Sequence, residues 1–160
     1  MTENHLLRTL RLWLAGEVKG FRLPDTSGDE KPVQIINGWL PPKKSTAGED
    51  WPFIVVRPVS GSCSDGRNSV TVQLACGVLT DGTQDEHERL INLVRHTLNA
   101  LAGLPDAMLD HRYQLESPIT WEMSDEQPYP AWLAVITTVW DFAGITAPHE
   151  MEAKTFGYFD

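Results

Sequence analysis

The side chains of this chain best suited to chemistry are its five histidines, two cysteines and clustered acids, and their spacing decides what they can do. His87 and Glu88 stand side by side as in a zinc-binding His-Glu-x-x-His helix, but that motif needs a second histidine at position 91, which is Ile91. His96 follows His87 by nine residues, a separation that puts the two about 180° apart on a helix. His5, His111 and His149 are isolated in sequence. The run Asp85-Glu86-His87-Glu88 reads as the solvated first turn of a helix, where acids complement the helix dipole. No metal site and no cofactor are expected.

Nucleophilic catalysis fares no better. Cys63 and scattered serines are present, but no Gly-x-Ser-x-Gly elbow and no protease-type cysteine motif surrounds them. Neither a P-loop nor a Gly-x-Gly-x-x-Gly turn follows a strand pattern, so a nucleotide phosphate has no cradle. Glu116 and Glu122 fall on one side of an expected strand about 20 Å apart at roughly 3.3 Å per residue, too far for a paired-carboxylate hydrolase. The expectation is a protein without catalytic residues, that is, not an enzyme. A hydrolase whose residues converge only in space is the least favoured reading.

Composition narrows the classes further. The chain has 160 residues, 41% of them hydrophobic and 22% charged, which suits one globular domain over 1–160 with a core at about 5–143 and an extension at 144–160. Its net charge of -9 argues against unaided binding to a nucleic-acid backbone, which needs clustered lysines and arginines. No run approaches the roughly 20 apolar residues of a membrane span, and the N-terminus lacks a secretory pattern, so no membrane partner and a cytoplasmic protein are expected. Cys63 in a Ser/Gly-rich stretch and Cys76 in an apolar one read as two reduced thiols, one exposed and one packed.

The elements that would position these residues follow from periodicity. Leu6, Leu10, Trp13 and Leu14 share a helical face, with Thr2 as cap. Residues 21–32 have turn chemistry, 33–40 read as a strand stopped by Pro41-Pro42, and 43–50 form a second polar loop. A strand is expected at 51–59, then a polar loop at 60–68 joining it to an antiparallel partner. In that partner Val70, Val72, Leu74, Cys76 and Val78 alternate with Thr71, Gln73, Ala75 and Gly77. Residues 86–101 predict a helix with Leu90, Ile91, Val94, Leu98 and Leu101 as its apolar stripe, ended by Gly103 and Pro105. Residues 111–123 alternate with Tyr113, Leu115, Ile119, Trp121 and Met123 on one face, and 131–142 are apolar on both faces, as in a central strand. Trp121, Trp132 and Trp140 read as core residues. Trp39 and Trp51 flank the Pro-Pro-Lys-Lys loop, where large aromatics are either loop anchors or interface residues. The fold class is α+β: a mostly antiparallel sheet of four to five strands with two helices packed on one face.

This order of elements resembles the tail terminator proteins of long-tailed bacteriophages, the lambda-type tail-completion group. A short helix at 6–14 precedes the proline-marked strand Trp51-Pro52-Phe53-Ile54-Val55-Val56, and a polar hairpin leads to Asn68-Ser69-Val70-Thr71-Val72-Gln73-Leu74-Ala75-Cys76-Gly77-Val78. A long helix at 86–101 and a closing hairpin with Pro118-Ile119-Thr120-Trp121 and residues 132–140 complete the likeness, which covers about 5–143 as a pattern without an invariant signature. Residues 21–50 and the segment after Gly144 depart from it, and either departure would also suit a head-tail joining protein of the neck.

The resemblance implies a structural virion protein of the tail, assembled in the host cytoplasm. In that family a hexameric ring caps the tail tube, stops its polymerisation and offers a surface for the head. Its partners would be further copies of itself, the tail tube protein and the head-tail connector, with DNA passing through an acidic lumen without specific binding. Trp39, Trp51, Arg57, Arg67 and Asn68 are the candidate subunit or tube interface, the last three because they decorate the hairpin between two core strands. They read equally as ordinary solvated loop residues. A small non-catalytic binding module of the same build is the competing class.

Overall fold

The computed structural model describes residues 2–24, 30–38, 52–79, 87–125 and 131–144. Their backbone forms helix α1 (Glu3–Glu17), strands β1 (Arg22–Pro24), β2 (Glu30–Pro32), β3 (Gln34–Asn37), β4 (Phe53–Ser64) and β5 (Arg67–Leu79), and helix α2 (His87–Ala102). A 3-10 turn at Pro105–Ala107 follows, then β6 (Met108–Leu109), β7 (Tyr113–Leu115), β8 (Thr120–Met123) and β9 (Ala131–Ala143). The chain is α+β, as its periodicity indicates. The sheet, however, is larger than expected.

Seven strands form one mixed sheet in the order β3-β4-β5-β9-β7-β6, with β8 also on β9, and β1 pairs β2 in a separate ribbon. The expectation of four to five strands falls short because short strands of two to four residues carry too few positions to show a period. Within the sheet, β3 runs parallel to β4 and every other pair is antiparallel. Residues 21–32, which have turn composition, supply the two-stranded ribbon at their ends.

Three long strands make the frame. β5 and β9 pair without interruption from Arg67↔Ala143 to Leu79↔Ala131. β4 pairs with β5 from Phe53↔Gly77 to Ser64↔Arg67, with a bulge between Pro58 and Ser60. The expected loop at 60–68 is therefore strand on both sides of a two-residue turn. Asp65 (φ 46°) and Gly66 (φ 80°) both take positive φ there, the requirement of the tight hairpin turn whose twist matches its strands. Serine and glycine mask such an arm because they are frequent in loops, although an exposed edge strand accepts them.

Alternation assigns the faces. Ile54 and Val56 of β4, even-numbered residues from Val70 to Val78 of β5, and Ala134, Ile136, Trp140 and Phe142 of β9 point to one side. That side joins Leu6, Leu7, Leu10 and Leu14 of α1 and Leu90, Leu93, Val94 and Leu101 of α2 in one core. α1 lies against β3 and β4, and α2 against β5 and β9, so both helices cover the same face. Thr2 caps α1 by accepting from the His5 amide at 3.2 Å. The α2 stripe is rotated from its expected position. Ile91 is 37% exposed, while Leu93 and Thr97 are buried. Thr97 is tolerated there because its hydroxyl donates to the Leu93 carbonyl at 2.9 Å.

The segment expected as one strand at 111–123 is two. Its pairing with β9 runs Leu115↔Trp140 and then Thr120↔Thr137, so two extra residues are accommodated between β7 and β8. The connection holds a cis Ser117-Pro118 peptide, and Pro118 has no amide for the ladder. This interruption leaves Tyr113 and Leu115 buried but Trp121 38% exposed, which corrects the reading of Trp121 as core. Trp140 is fully buried and Trp132 packs partly buried against the core.

The Trp140 indole N–H is satisfied inside the core. It donates to the Thr138 hydroxyl at 2.8 Å, which in turn donates to the Val72 carbonyl at 2.7 Å across the β5–β9 ladder. Replacing Thr138 by Val keeps the shape but strands that buried donor, at a cost of about 1–3 kcal/mol. Thermal denaturation of T138V should show a Tm lowered by roughly 2–4 °C per kcal/mol for a chain of this size, while T138S stays near the parent.

Candidate functional site

The described chemistry-bearing residues are spread over the fold. Among the described residues no three His, Cys, Asp or Glu side chains gather in a way that would hold a metal ion. The described histidines with named partners serve as packing groups. The half-buried His5 on α1 shares a 2.5 Å hydrogen bond between Nδ1 and the buried Tyr113 hydroxyl, which ties the helix start to β7. His96 Nε2 lies 2.8 Å from the Glu17 carbonyl oxygen and its ring stacks on Phe21, so it joins α2 to the end of α1. His87 sits against Trp132. Burial pushes the Tyr113 phenol above its ordinary range, with Asp110 adding to the rise and Arg112 opposing it.

The proposed interface residues are separated by the topology. Trp39 and Trp51 lie outside the described residues. Arg57, Arg67 and Asn68 are not on one loop. Arg57 is in mid-sheet, paired with Gln73, while Arg67 and Asn68 begin β5 at the hairpin tip. Along β5, Gln73 and Arg67 are about 20 Å apart. Arg57 is half-buried with its Nε enclosed, and desolvation lowers its pKa from the usual guanidinium value. Arg67 is exposed and stands 3.8 Å from Asp141 on the face away from the helices. Asn68 aligns with Phe142 and so faces the opposite side.

What sequence reasoning missed is the state of the sheet margins. β3 covers β4 only from Phe53 to Val56, where the Gly38 amide donates to the Val56 carbonyl at 2.7 Å. Beyond that point, among the described residues, β4 has a strand partner on its β5 side alone. The Val56 carbonyl aims at β3, so alternation turns Pro58 outward, and the bulge shifts the pattern so that Gly61 and Cys63 present their backbone groups outward. Residues 58–64 are exposed. At the other margin β8 pairs only with β9 among the described residues, which leaves the outer edge of Thr120–Met123 open as well. No hydropathy pattern reports which strand is at an edge, because edge status depends on pairing.

The face away from the helices carries a polar row. Arg57, Gln73, Thr137 and Thr120 align across four strands. Beside it a cleft of about 240 Å³ is lined by Gln73, Glu122, Ser124, Asp125, Val135 and Thr137. Two carboxylates and no cation make it an acidic recess. No helix of the described residues is long and apolar enough to cross a membrane.

Neither a family model nor a curated protein matches the sequence.

The two thiols sit in contrasting environments. Cys63 is exposed on the hairpin, and Cys76 is fully buried, with burial pushing its thiol up to about 12. A thiol reagent at pH 8 should modify one cysteine per native chain, Cys63, and both only after denaturation. Two rapidly reacting thiols in the native protein would contradict this packing.

Proposed function

We propose that the chain is a structural virion protein that caps the end of a phage tail tube as a ring, stopping polymerisation and presenting the head-joining surface. The observation that carries this reading is a seven-stranded sheet that, among the described residues, has one unpaired strand edge at the β4 arm and another at β8. Unpaired strand edges are templates for further pairing. Two different edges on one molecule support a head-to-tail contact, which closes into a ring when its rotation permits.

Other features agree with a scaffold. The polar side chains of the core, Thr97 and Thr138, are satisfied within the fold and serve stability. The net charge of -9 suits a lumen that DNA crosses without being held, since carboxylates repel the phosphate backbone. Further copies of the chain, the tube protein and the head-tail connector are the partners in this reading.

Light scattering should give about six times the 17.9 kDa chain mass, free or on tubes. Added to polymerising tail tube protein, the chain should shorten the tubes and appear as density at one end. A protein that stays monomeric and leaves tube length unchanged would remove the proposal. A ring that binds only the head-side connector would reassign it to the neck.

A further inference from the structure

The ring reading leaves open which surfaces meet, and two strand edges of the sheet suit each other. We infer that the exposed arm edge of one copy adds as a strand to the outer edge of β8 in the next copy, with Arg67 of the first facing Glu122 and Asp125 of the second. This inference rests on self-assembly of the chain and adds the contact that mediates it.

Four properties of the two margins match. Among the described residues both offer backbone without a strand partner: Gly61 and Cys63 on the arm, and the outer side of Thr120–Met123 on β8. Their lengths agree, since residues 60–64 meet a strand of four residues. Each margin holds one of the few large apolar side chains exposed on the described surface, Val59 at the arm bulge (45%) and Trp121 on β8 (38%). Arg67 at the arm tip, which shares that tip with Asp65 and stands beside Asp141, is opposite in charge to Glu122 and Asp125 at the acidic recess. Beyond Pro58 and the bulge, residues 60–64 contain no lysine, glutamate, aspartate or proline, the usual guards of an edge strand.

The faces agree too. Arg67 aligns with Ala143 and pairs with Asp141, while Glu122 aligns with Val135, and all of these are on the side away from the helices. A sheet continued from one copy to the next keeps that side continuous. Arg67 is then one strand inside the junction and Glu122 is on the first strand across it. Two strand spacings amount to about 10 Å, a gap that an arginine and a glutamate extended toward each other span. Within one chain the same two residues are eight positions apart along β9, about 27 Å, so they can meet only between copies.

The test is a charge exchange read as assembly by sedimentation or light scattering. R67E and E122K should each weaken assembly by about tenfold, and R67E/E122K should recover most of the loss. C63P, which removes an outward amide from the arm, should weaken assembly while circular dichroism shows a folded chain. The exchange reads the contact independently should C63P not fold. A protein that assembles normally in both single variants, or fails to recover in the double one, overturns this contact and leaves the ring standing. A parent chain that is monomeric alone and on tubes overturns both.

Discussion

The uninterrupted pairing of β5 with β9 is the constraint on which the rest of the molecule depends. Its register runs without a bulge from Leu79↔Ala131 to Arg67↔Ala143, and it places the even-numbered residues of both strands under the helices. Side chains in a strand alternate with period two, so a slip of one residue would exchange the two faces entirely. Leu74 and Ile136 would turn outward, and Gln73 and Thr137 would enter the core. The Trp140–Thr138–Val72 relay adds a directional lock, because the hydroxyl reaches the carbonyl in one register only. Beyond the core the same ladder continues into the arm, where the Gly144 amide meets the Gly66 carbonyl at the turn.

Continuity at the centre contrasts with interruption at the margins. On one side β4 loses its β3 partner after Val56, and Pro58 with the adjacent bulge blunts the edge nearest the core. Farther out, serines, a glycine and Cys63 leave the backbone accessible. Opposite, the two extra residues between β7 and β8 let β7 keep Tyr113 and Leu115 in the core while β8 swings Trp121 to the surface. Both margins are thus made by local irregularities in strands that otherwise pair regularly. A scaffold built to join copies of itself needs such edges. An isolated domain has reason to cover or charge them.

Three of the side chains that looked reactive, His5, His96 and Cys76, are absorbed by this architecture. His5 and His96 act as ties between α1 and the elements it crosses, through Tyr113 and through the Glu17 carbonyl and Phe21. Cys76 is an apolar core residue in effect, since burial holds its thiol protonated.

The sequence by itself determined the α+β class, the two helices, the apolar alternation of β5 and the central position of β9, because each rests on a run of nine or more residues with a consistent hydropathy pattern. Only the tertiary structure decided that Arg57 and Arg67 are far apart, that Asn68 faces away from Arg67, that residues 60–68 extend two strands, and that Trp121 is outside. Those facts depend on which strands lie side by side and where their register slips. Pairing joins residues distant along the chain, so no local pattern of hydrophobic and polar residues encodes it.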